Sequence, residues 1–277
     1  MKKKNYVLLY DDTCPLCKAY TKGFVKAGLL EADSRKAFSS TDKYWLEKIN
    51  IKEAVNQIPL IDTANDRVYY GIDALLEILS QQIPFIRKAG NFPPVKWLLL
   101  RLYKFISYNR KVIVASQPVT GRFDCSPDFN LKYRILFLLV FFIFNTFMLF
   151  PLYQHVITKS MFANSSLLQL QSAHGVLVII NIALAFSLPG KEKLEYLGQV
   201  NMLALLVILL TIPLMLLNKY STAGTAGVND FLLGTITCFI LREYYRRMRY
   251  AGIASHHSWI IYVNAGCLTG FLLYLFI

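Results

Sequence analysis

Hydrophobic and polar residues are distributed unevenly along the chain. Residues 1–130 mix apolar with charged positions, whereas residues 135–277 contain long apolar runs separated by short polar segments. Apolar runs of about 20 residues are long enough to cross a bilayer as helices. The pattern therefore predicts a soluble N-terminal domain followed by an all-α membrane domain.

The pattern of the N-terminal part predicts alternating strands and helices. Residues 6–10 form a short apolar, β-prone run, and residues 18–27 have the apolar spacing of a helix. Further along, the pattern predicts a short strand within residues 33–40, a helix over 41–48, a hairpin of strands over 57–62 and 67–70, and a helix over 72–80. The predicted order is β-α-β-α-β-β-α.

Two cysteines, Cys14 and Cys17, lie where the first strand gives way to the first helix. A thiol at a helix N-terminus faces unpaired backbone N–H groups and the positive end of the helix dipole, which stabilise its thiolate. Cys17 is about one turn further on, close enough for a disulfide. We therefore expect Cys14 to attack a disulfide, Cys17 to resolve the mixed disulfide, and Asp11 to accept or orient a proton.

Two other interpretations of the cysteine pair stay open, a metal site and an inert remnant. One CxxC supplies two thiolates, whereas a structural zinc takes four ligands, and the sequence has no second CxxC. Asp12 adds a second carboxylate near Cys14, which should disfavour its thiolate. The chain has five cysteines, an odd and modest number that does not resemble a secreted disulfide scaffold.

The order of elements and three motifs resemble a known family. The layout is similar to the thioredoxin superfamily and, within it, to the DCC family of predicted thiol-disulfide oxidoreductases, named for Asp-x-x-Cys-x-x-Cys. Residues 11–17 fit that motif, residues 70–76 look like the family's Gly-x-Asp-Ala-Leu segment, and residues 103–110 resemble its C-terminal helix. The family's helix is commonly followed by another cysteine, here Cys125. One departure is Asp12, at a position that is commonly Gly.

The resemblance covers roughly residues 5–125 and implies a thioredoxin-like α/β fold with thiol-disulfide oxidoreductase activity. It also implies a role for Pro59, which matches the proline that opens the third strand of such folds, is usually cis and lies beside the CxxC. The residues alone say only that the bond before Pro59 can be cis at modest cost, and an ordinary proline at a strand edge is the alternative.

Residues 93–130 connect the two parts. Apolar positions 95, 98, 99, 102, 105 and 106 follow helical spacing, and the basic residues Lys96, Arg101, Lys104, Arg110 and Lys111 lie mostly off that stripe. Such a helix can lie on an anionic membrane surface or pack onto the redox domain. We therefore divide the chain into residues 1–92, the thioredoxin-like domain, residues 93–130, the basic helix and linker, and residues 131–277, the membrane domain.

Five candidate spans are predicted in the membrane domain, over about residues 134–153, 171–188, 199–217, 228–242 and 259–277. The fourth is short and the weakest of the five, and a re-entrant segment is its alternative. The loops after the second and fourth spans are basic, with Lys191, Lys193 and the cluster Arg242–Arg249. The positive-inside rule then places the N-terminal domain in the cytosol and the C-terminus outside, in what we expect to be a bacterial inner membrane. No signal peptide is apparent, which agrees with a cytosolic N-terminal domain.

Several polar or reactive residues in the membrane domain were weighed as functional groups. His174 and Asp230 fall near span ends, and Asn145, Asn181, Asn201 and Asn264 are expected to form interhelical hydrogen bonds. Cys238 and Cys267 are expected to be ordinary buried small residues. The pair His256-His257 lacks a third metal ligand nearby.

The sequence therefore predicts a membrane-anchored, cytosol-facing thiol-disulfide oxidoreductase. We expect no bound cofactor, because the Cys14–Cys17 pair is its own redox centre. The expected partners are the lipid bilayer and a protein or low-molecular-weight thiol or disulfide. The net charge of +13 is explained by the membrane, so no nucleic-acid partner is expected, and the oligomeric state is left open. The alternative is a membrane transporter or a lipid- or partner-binding module whose CxxC domain senses redox state or docks partners.

Overall fold

A computed structural model describes residues 6–116, 127–220 and 226–276. The chain divides into two compact units, Met1–Tyr133 and Arg134–Ile277. The first unit combines a sheet with helices and the second is helical, which confirms the predicted fold class. The domain limits at residues 92 and 130 stay predictions.

The first unit contains four strands and six helices in the described residues. The strands are β1 (Tyr6–Tyr10), β2 (Arg35–Ala37), β3 (Pro59–Asp62) and β4 (Arg67–Tyr70). The helices are α1 (Pro15–Lys26), α2 (Lys43–Glu47), α3 (Ile51–Ala54), α4 (Gly71–Leu79), α5 (Pro84–Asn91) and α6 (Pro93–Ile113). Short 3-10 turns, Ala32–Ser34 and Phe38–Ser40, flank β2.

The four strands form one mixed sheet in the order β2-β1-β3-β4. Strand β1 pairs parallel with β2, with Leu9 opposite Lys36, and antiparallel with β3, with Leu8 opposite Leu60. Strands β3 and β4 form the predicted hairpin. Because β3 runs antiparallel to β1, the last residue of β1 and the first residue of β3 meet at the same edge of the sheet. The cysteine turn follows β1 at that edge.

Side chains of β1 alternate between two cores because successive strand residues point to opposite faces. Tyr6, Leu8 and Tyr10 pack with residues of α1 and α4 on one face. Val7 and Leu9 pack on the other face, with residues around α2 and α3. All five residues of β1 are buried, so this strand fixes the point from which the cysteine turn starts.

Helix α6 packs against α4 and α5, so one face of it belongs to the first unit, as one of the two sequence interpretations expected. Helices α3 and α5 were not predicted. The four residues of α3 are too few to show a period, and α5 carries the positive charges Arg87 and Lys88 where a core helix would be apolar.

The second part of the fold is built from long helices. They are α7 (Leu131–His155), α8 (Leu167–Phe186), α9 (Glu192–Tyr220), α10 (Ala226–Tyr250), the short α11 (Ile253–His256) and α12 (Trp259–Phe276). By length and composition, four segments of the described chain can cross a membrane: Leu131–Lys159, Leu167–Phe186, Glu192–Tyr220 and Trp259–Phe276.

The predicted fourth span, in α10, is not among those four segments, so this criterion finds four spans where about five were expected. The reason lies in its charges. Asp230 lies near the start of α10, and Arg242 and Glu243 interrupt its apolar stretch before the helix ends. The sequence had already marked this span as the weakest.

Amide side chains of the helical unit pair between helices, as predicted. Asn145 of α7 donates from Nδ2 to Oδ1 of Asn201 of α9 at 3.2 Å. Tyr196 of α9 donates its hydroxyl to Asn181 of α8 and accepts a hydrogen bond from Nδ2 of Asn264 of α12 at 2.7 Å. These contacts satisfy polar groups in an apolar setting and join three helices at one tyrosine.

The other singled-out groups of the helical unit have local partners. His174 Nε2 lies 3.3 Å from Thr146 Oγ1, and its ring stacks on Phe142. Asp230 accepts a hydrogen bond from the backbone N–H of Met161 at 2.7 Å. Cys238 is exposed rather than buried, which corrects the expectation, and Cys267 is half-buried.

Candidate functional site

The turn after β1 is organised by the side chain of Asp11. Its Oδ1 accepts hydrogen bonds from the backbone N–H of Thr13 at 2.9 Å, the hydroxyl of Thr13 at 2.7 Å and the backbone N–H of Cys14 at 3.2 Å. The carboxylate is 6% exposed. Asp11 therefore shapes the turn that delivers Cys14 to the start of α1.

Cys14 is the N-cap residue of α1, which confirms the predicted thiol at a helix N-terminus, and Pro15 occupies the first turn. The Cys14 Sγ accepts a hydrogen bond from the backbone N–H of Cys17 at 3.4 Å, one of the donors that a helix N-terminus leaves unpaired. Both thiols are free and buried, with 5% and 4% exposure. The N-cap sulfur is thus the one that lies nearer the helix donors.

A buried arginine, Arg110, reaches this site from α6. Its Nη2 donates to Asp11 Oδ2 at 3.3 Å and to the backbone carbonyl of Val55 at 3.2 Å. The Arg110 side chain is 8% exposed, so this ion pair is withdrawn from solvent. Asp11 therefore links the cysteine turn to a residue 99 positions later in the chain.

Two further residues of α6 lie on the same face as Arg110. The Tyr103 hydroxyl accepts a hydrogen bond from the backbone N–H of Ile58 at 2.9 Å, and the Ser107 hydroxyl donates to the carbonyl of Asn56. Residues 103, 107 and 110 recur at helical spacing. This face of α6 thus holds the segment that leads into β3, directly before Pro59.

The two thiols differ strongly in acidity. The hydrogen bond from Cys17, helped by the positive charge of Arg110, outweighs burial and the Asp11 carboxylate and lowers the pKa of Cys14 to about 7. The hydrogen bond to Cys14 and burial raise the pKa of Cys17. At neutral pH a substantial fraction of Cys14 is thiolate, whereas Cys17 keeps its proton.

The ionisable side chains around the two thiols keep their ordinary charge states at neutral pH. The Cys17 and Cys14 thiols and Asp11 raise the pKa of Arg110 although its burial opposes the charge, so it stays a cation. Burial raises the pKa of Tyr103 to about 12 and that of Tyr20 well above its ordinary value, so both phenols stay neutral. Arg110 is therefore the permanent positive charge of the site.

The helix turn beyond Cys17 is fastened to the sheet. Fully buried Thr21 donates its hydroxyl to the carbonyl of Cys17 at 2.7 Å and accepts from Nε of Arg35 at 2.8 Å. The guanidinium of Arg35 in turn lies over the ring of Tyr10, 3.7 Å from its centroid. These contacts join α1 to β1 and β2 and fix the position of Cys17.

Asp12 lies beside Cys14 in sequence but is engaged elsewhere. Its Oδ2 accepts a hydrogen bond from the hydroxyl of Ser39 at 2.7 Å. The groups that shift the pKa of Cys14 are Cys17, Arg110 and Asp11. The carboxylate that opposes the thiolate is therefore Asp11.

Pro59 is the first residue of β3 and is buried, at the sheet edge where β1 ends. Its peptide bond is trans, as are all those between residues that the structure describes, so the cis bond implied by the family resemblance is not found. Cys125, the candidate third thiol, lies outside the described residues. In the described ranges, no three His, Cys, Asp or Glu side chains come together in a group that could hold a metal ion.

Sequence analysis missed the role of Arg110 and treated it as one of several basic residues of an amphipathic helix. One signal was available, because Tyr103 and Arg110 open and close the segment on which the family resemblance rested and are two helical turns apart. Because Tyr103 and Arg110 lie on one face of the helix, both are expected to contact the same neighbouring part of the domain. Thr21 and Arg35 carried no such signal, since their contact joins α1 to the following strand across 14 residues, and no helical or strand period relates the two positions.

Comparison with known proteins bears on this site directly. The family model of DCC1-like thiol-disulfide oxidoreductases matches residues 8–115, from β1 to just beyond α6. No curated protein and no solved structure matches the chain. The match contains both cysteines, Asp11, Pro59 and Arg110, so residues 8–115 are similar to the DCC1-like thiol-disulfide oxidoreductase family over the whole candidate site.

Proposed function

We propose that the chain is a membrane-anchored oxidoreductase that exchanges the Cys14–Cys17 dithiol with disulfides of proteins or small thiols. The observation that supports this proposal is the difference in pKa between the two thiols. Cys14 caps α1 and its pKa is lowered to about 7, whereas the pKa of its buried partner Cys17 is raised. Nucleophile and resolving thiol are distinguished in this way in enzymes of dithiol exchange.

The reaction proceeds in two exchanges. The Cys14 thiolate attacks one sulfur of a substrate disulfide, so a Cys14–substrate disulfide forms and the other substrate sulfur leaves as a thiolate. Cys17 then loses its proton and attacks the Cys14 sulfur, which releases the second substrate thiolate. The protein dithiol gives up two electrons and two protons, and the substrate disulfide becomes two thiols.

Arg110 and Asp11 take different parts in this scheme. The Arg110 cation stabilises the thiolate of Cys14, and we propose that Asp11 receives or orients the proton that Cys17 must lose in the second exchange. Both oxygens of Asp11 already accept hydrogen bonds from the turn and from Arg110, so the carboxylate is held in one place. Pro59, at the same edge of the sheet, would border the substrate. No cofactor beyond the pair is required.

The modest acidity of Cys14 favours a reducing role. A strongly oxidising dithiol has a thiolate that is stabilised far more, with a pKa near 3.5, and so prefers the reduced form, whereas reductants have values near 7. The pKa of Cys14 is about 7 because the hydrogen bonds from Cys17 and the charge of Arg110 lower it, while burial and Asp11 oppose them. We therefore propose a potential closer to about −270 mV than to about −120 mV.

We further propose that the catalytic unit faces the cytosol and that α10 crosses the membrane although its composition falls short. Asn218 of α9 hydrogen-bonds Asn229 of α10 near one end, and Gln199 of α9 hydrogen-bonds Arg247 of α10 near the other. These pairs are about 28 Å apart along α9 at 1.5 Å per residue, close to the thickness of the hydrocarbon core. A helix paired with a spanning helix over that length would span with it, which places the C-terminus outside.

The first experiment is a redox titration of the purified full chain in detergent. A variant with Cys125, Cys238 and Cys267 replaced by Ser leaves only the pair, and alkylation gel shifts across a glutathione series give its potential. A reversible two-electron transition near the reducing end supports the proposal. A pair that never closes would contradict it. A reporter fused at Ile277 tests the topology, since a cytosolic C-terminus would contradict the proposed arrangement.

A further inference from the structure

Helix α6 has a second face that the site does not use. Val95, Leu98, Leu102 and Ile106 recur at helical spacing and are between 38% and 50% exposed. We call these four residues the apolar stripe. The residues that hold the site, Tyr103, Ser107 and Arg110, lie on another side of the helix. The stripe is therefore free of any part in positioning the thiols.

Aromatic residues next to the stripe are also exposed. Phe92, at the start of α6, is 59% exposed and Trp97 is 60% exposed. The guanidinium of Arg101 lies over the ring of Trp97, 5.4 Å from its centroid. An exposed row of apolar side chains bordered by Trp and Arg is the arrangement found on helices that lie in the membrane interface.

The charged residues of α5 and α6 are all basic. Residues 78–116 contain no Asp or Glu, whereas seven Lys or Arg side chains occur there. They are Arg87, Lys88, Lys96, Arg101, Lys104, Arg110 and Lys111. Arg110 is buried beside Asp11, and Arg87 and Lys96 pair with Glu77 and Asp73 of α4. The basic side chains at the surface, such as Lys88, Arg101 and Lys104, are complementary to anionic lipid headgroups. A protein partner for the stripe would need a matching apolar face, whereas a bilayer offers both acyl chains and negative charge.

The chain itself keeps this surface near a membrane. Helix α6 ends at Ile113, and the first segment able to cross a bilayer begins at Leu131. A connection of that length spans at most about 60 Å even when fully extended. From the stripe, the charge and this tether, we propose that α6 lies on the surface of an anionic bilayer, with the apolar stripe inserted among the lipids.

The test uses the full chain in lipid nanodiscs, with one tryptophan as reporter. Trp45, Trp97 and Trp259 are replaced by Phe, and Leu102→Trp places the reporter in the stripe. The matched control carries Tyr44→Trp in the same background, because Tyr44 is similarly exposed, at 57%, but lies on α2. An unchanged rate of Cys14 alkylation shows that each variant is folded.

In discs that contain phosphatidylglycerol, the reporter at position 102 should emit at shorter wavelength and lose intensity to brominated lipids, while the control is unaffected. The effect should weaken in phosphatidylcholine discs, in high salt, and when Arg101→Glu and Lys104→Glu are added. If brominated lipids do not quench the reporter, the proposal is wrong. Quenching by aqueous acrylamide would then show an open surface, and protection from it would show that protein covers the stripe.

Discussion

Buried polar groups have different roles in the two units. In the N-terminal unit a charged pair, Asp11 and Arg110, is buried beside two thiols and shifts their acidity. The helical unit buries an ion pair too, Arg247 with Glu243, but it also buries amides and phenols that bond one another across helices, as Tyr196 does with Asn181 and Asn264. The first arrangement holds charge next to reactive atoms, and the second joins helices. Mutations of Asp11 or Arg110 should therefore alter the reactivity of the thiols, and mutations of the interhelical hydrogen bonds should alter the stability of the helical unit.

The largest effect is expected at the thiols. Cys14→Ser should abolish disulfide reduction, because the nucleophile is lost. In Cys17→Ser, Cys14 should still attack the substrate disulfide, but the mixed disulfide should accumulate because the resolving thiol is missing. Insulin reduction and mass spectrometry of the trapped species measure both, and Cys238→Ser is the matched control. Equal activity of Cys14→Ser and the parent would refute the catalytic assignment and turn attention to the helical unit.

Arg110 tests whether charge or structure controls the site. Replacing it by Met should raise the pKa of Cys14 from about 7 toward its ordinary value, because the cation that favours the thiolate is gone. Alkylation by iodoacetamide, which rises with pH through the pKa of the thiol, should then reach half its plateau at higher pH and be about tenfold slower at pH 7.

Arg110→Lys is the control that retains the charge and should keep most of the reactivity at pH 7. Removal of the cation also leaves Asp11 buried without its ion pair, so Asp11→Asn combined with Arg110→Met separates the two contributions. An unchanged pH profile in Arg110→Met would mean that the helix N-terminus alone sets the acidity of Cys14.

The helical unit should respond in stability alone. Tyr196→Phe removes the hydroxyl that links Asn181 and Asn264, at an expected cost of about 0.6 to 2 kcal/mol. Thermal unfolding in detergent measures the loss, and the rate of Cys14 alkylation should stay that of the parent. Slower alkylation of Cys14 in this variant would show that the helical unit also affects the reactivity of the thiols.

The smallest effect is expected at Asp12. Asp12→Asn should leave the pH profile of Cys14 alkylation nearly unchanged, because the Asp12 carboxylate faces Ser39. Asp11→Asn provides the contrast, since it removes the negative charge that raises the pKa of Cys14 and should increase the thiolate fraction at neutral pH. A large effect of Asp12→Asn would show that nearness in sequence, rather than the observed contacts, governs the thiol.

These contrasts also mark what the sequence could and could not reveal. The strand that ends at Tyr10 and the helix that Cys14 caps were predictable, because local periodicity and the N-terminal proline determine them. The partner of Asp11 was not, because it comes from another helix far along the chain. The direction of Asp12 was missed for a related reason, since adjacency in sequence does not tell which way a turn aims a side chain.

The separation of Asp11 and Arg110 by 99 residues has a consequence for synthesis. A chain grows from its N-terminus at about 5 to 20 residues per second, so the cysteines are made roughly 5 to 20 seconds before the arginine. During that interval Cys14 lacks the cation that lowers its pKa and is the less reactive for it. The Cys14 thiol of the nascent chain therefore acquires its full acidity only when α6 docks onto the cysteine turn.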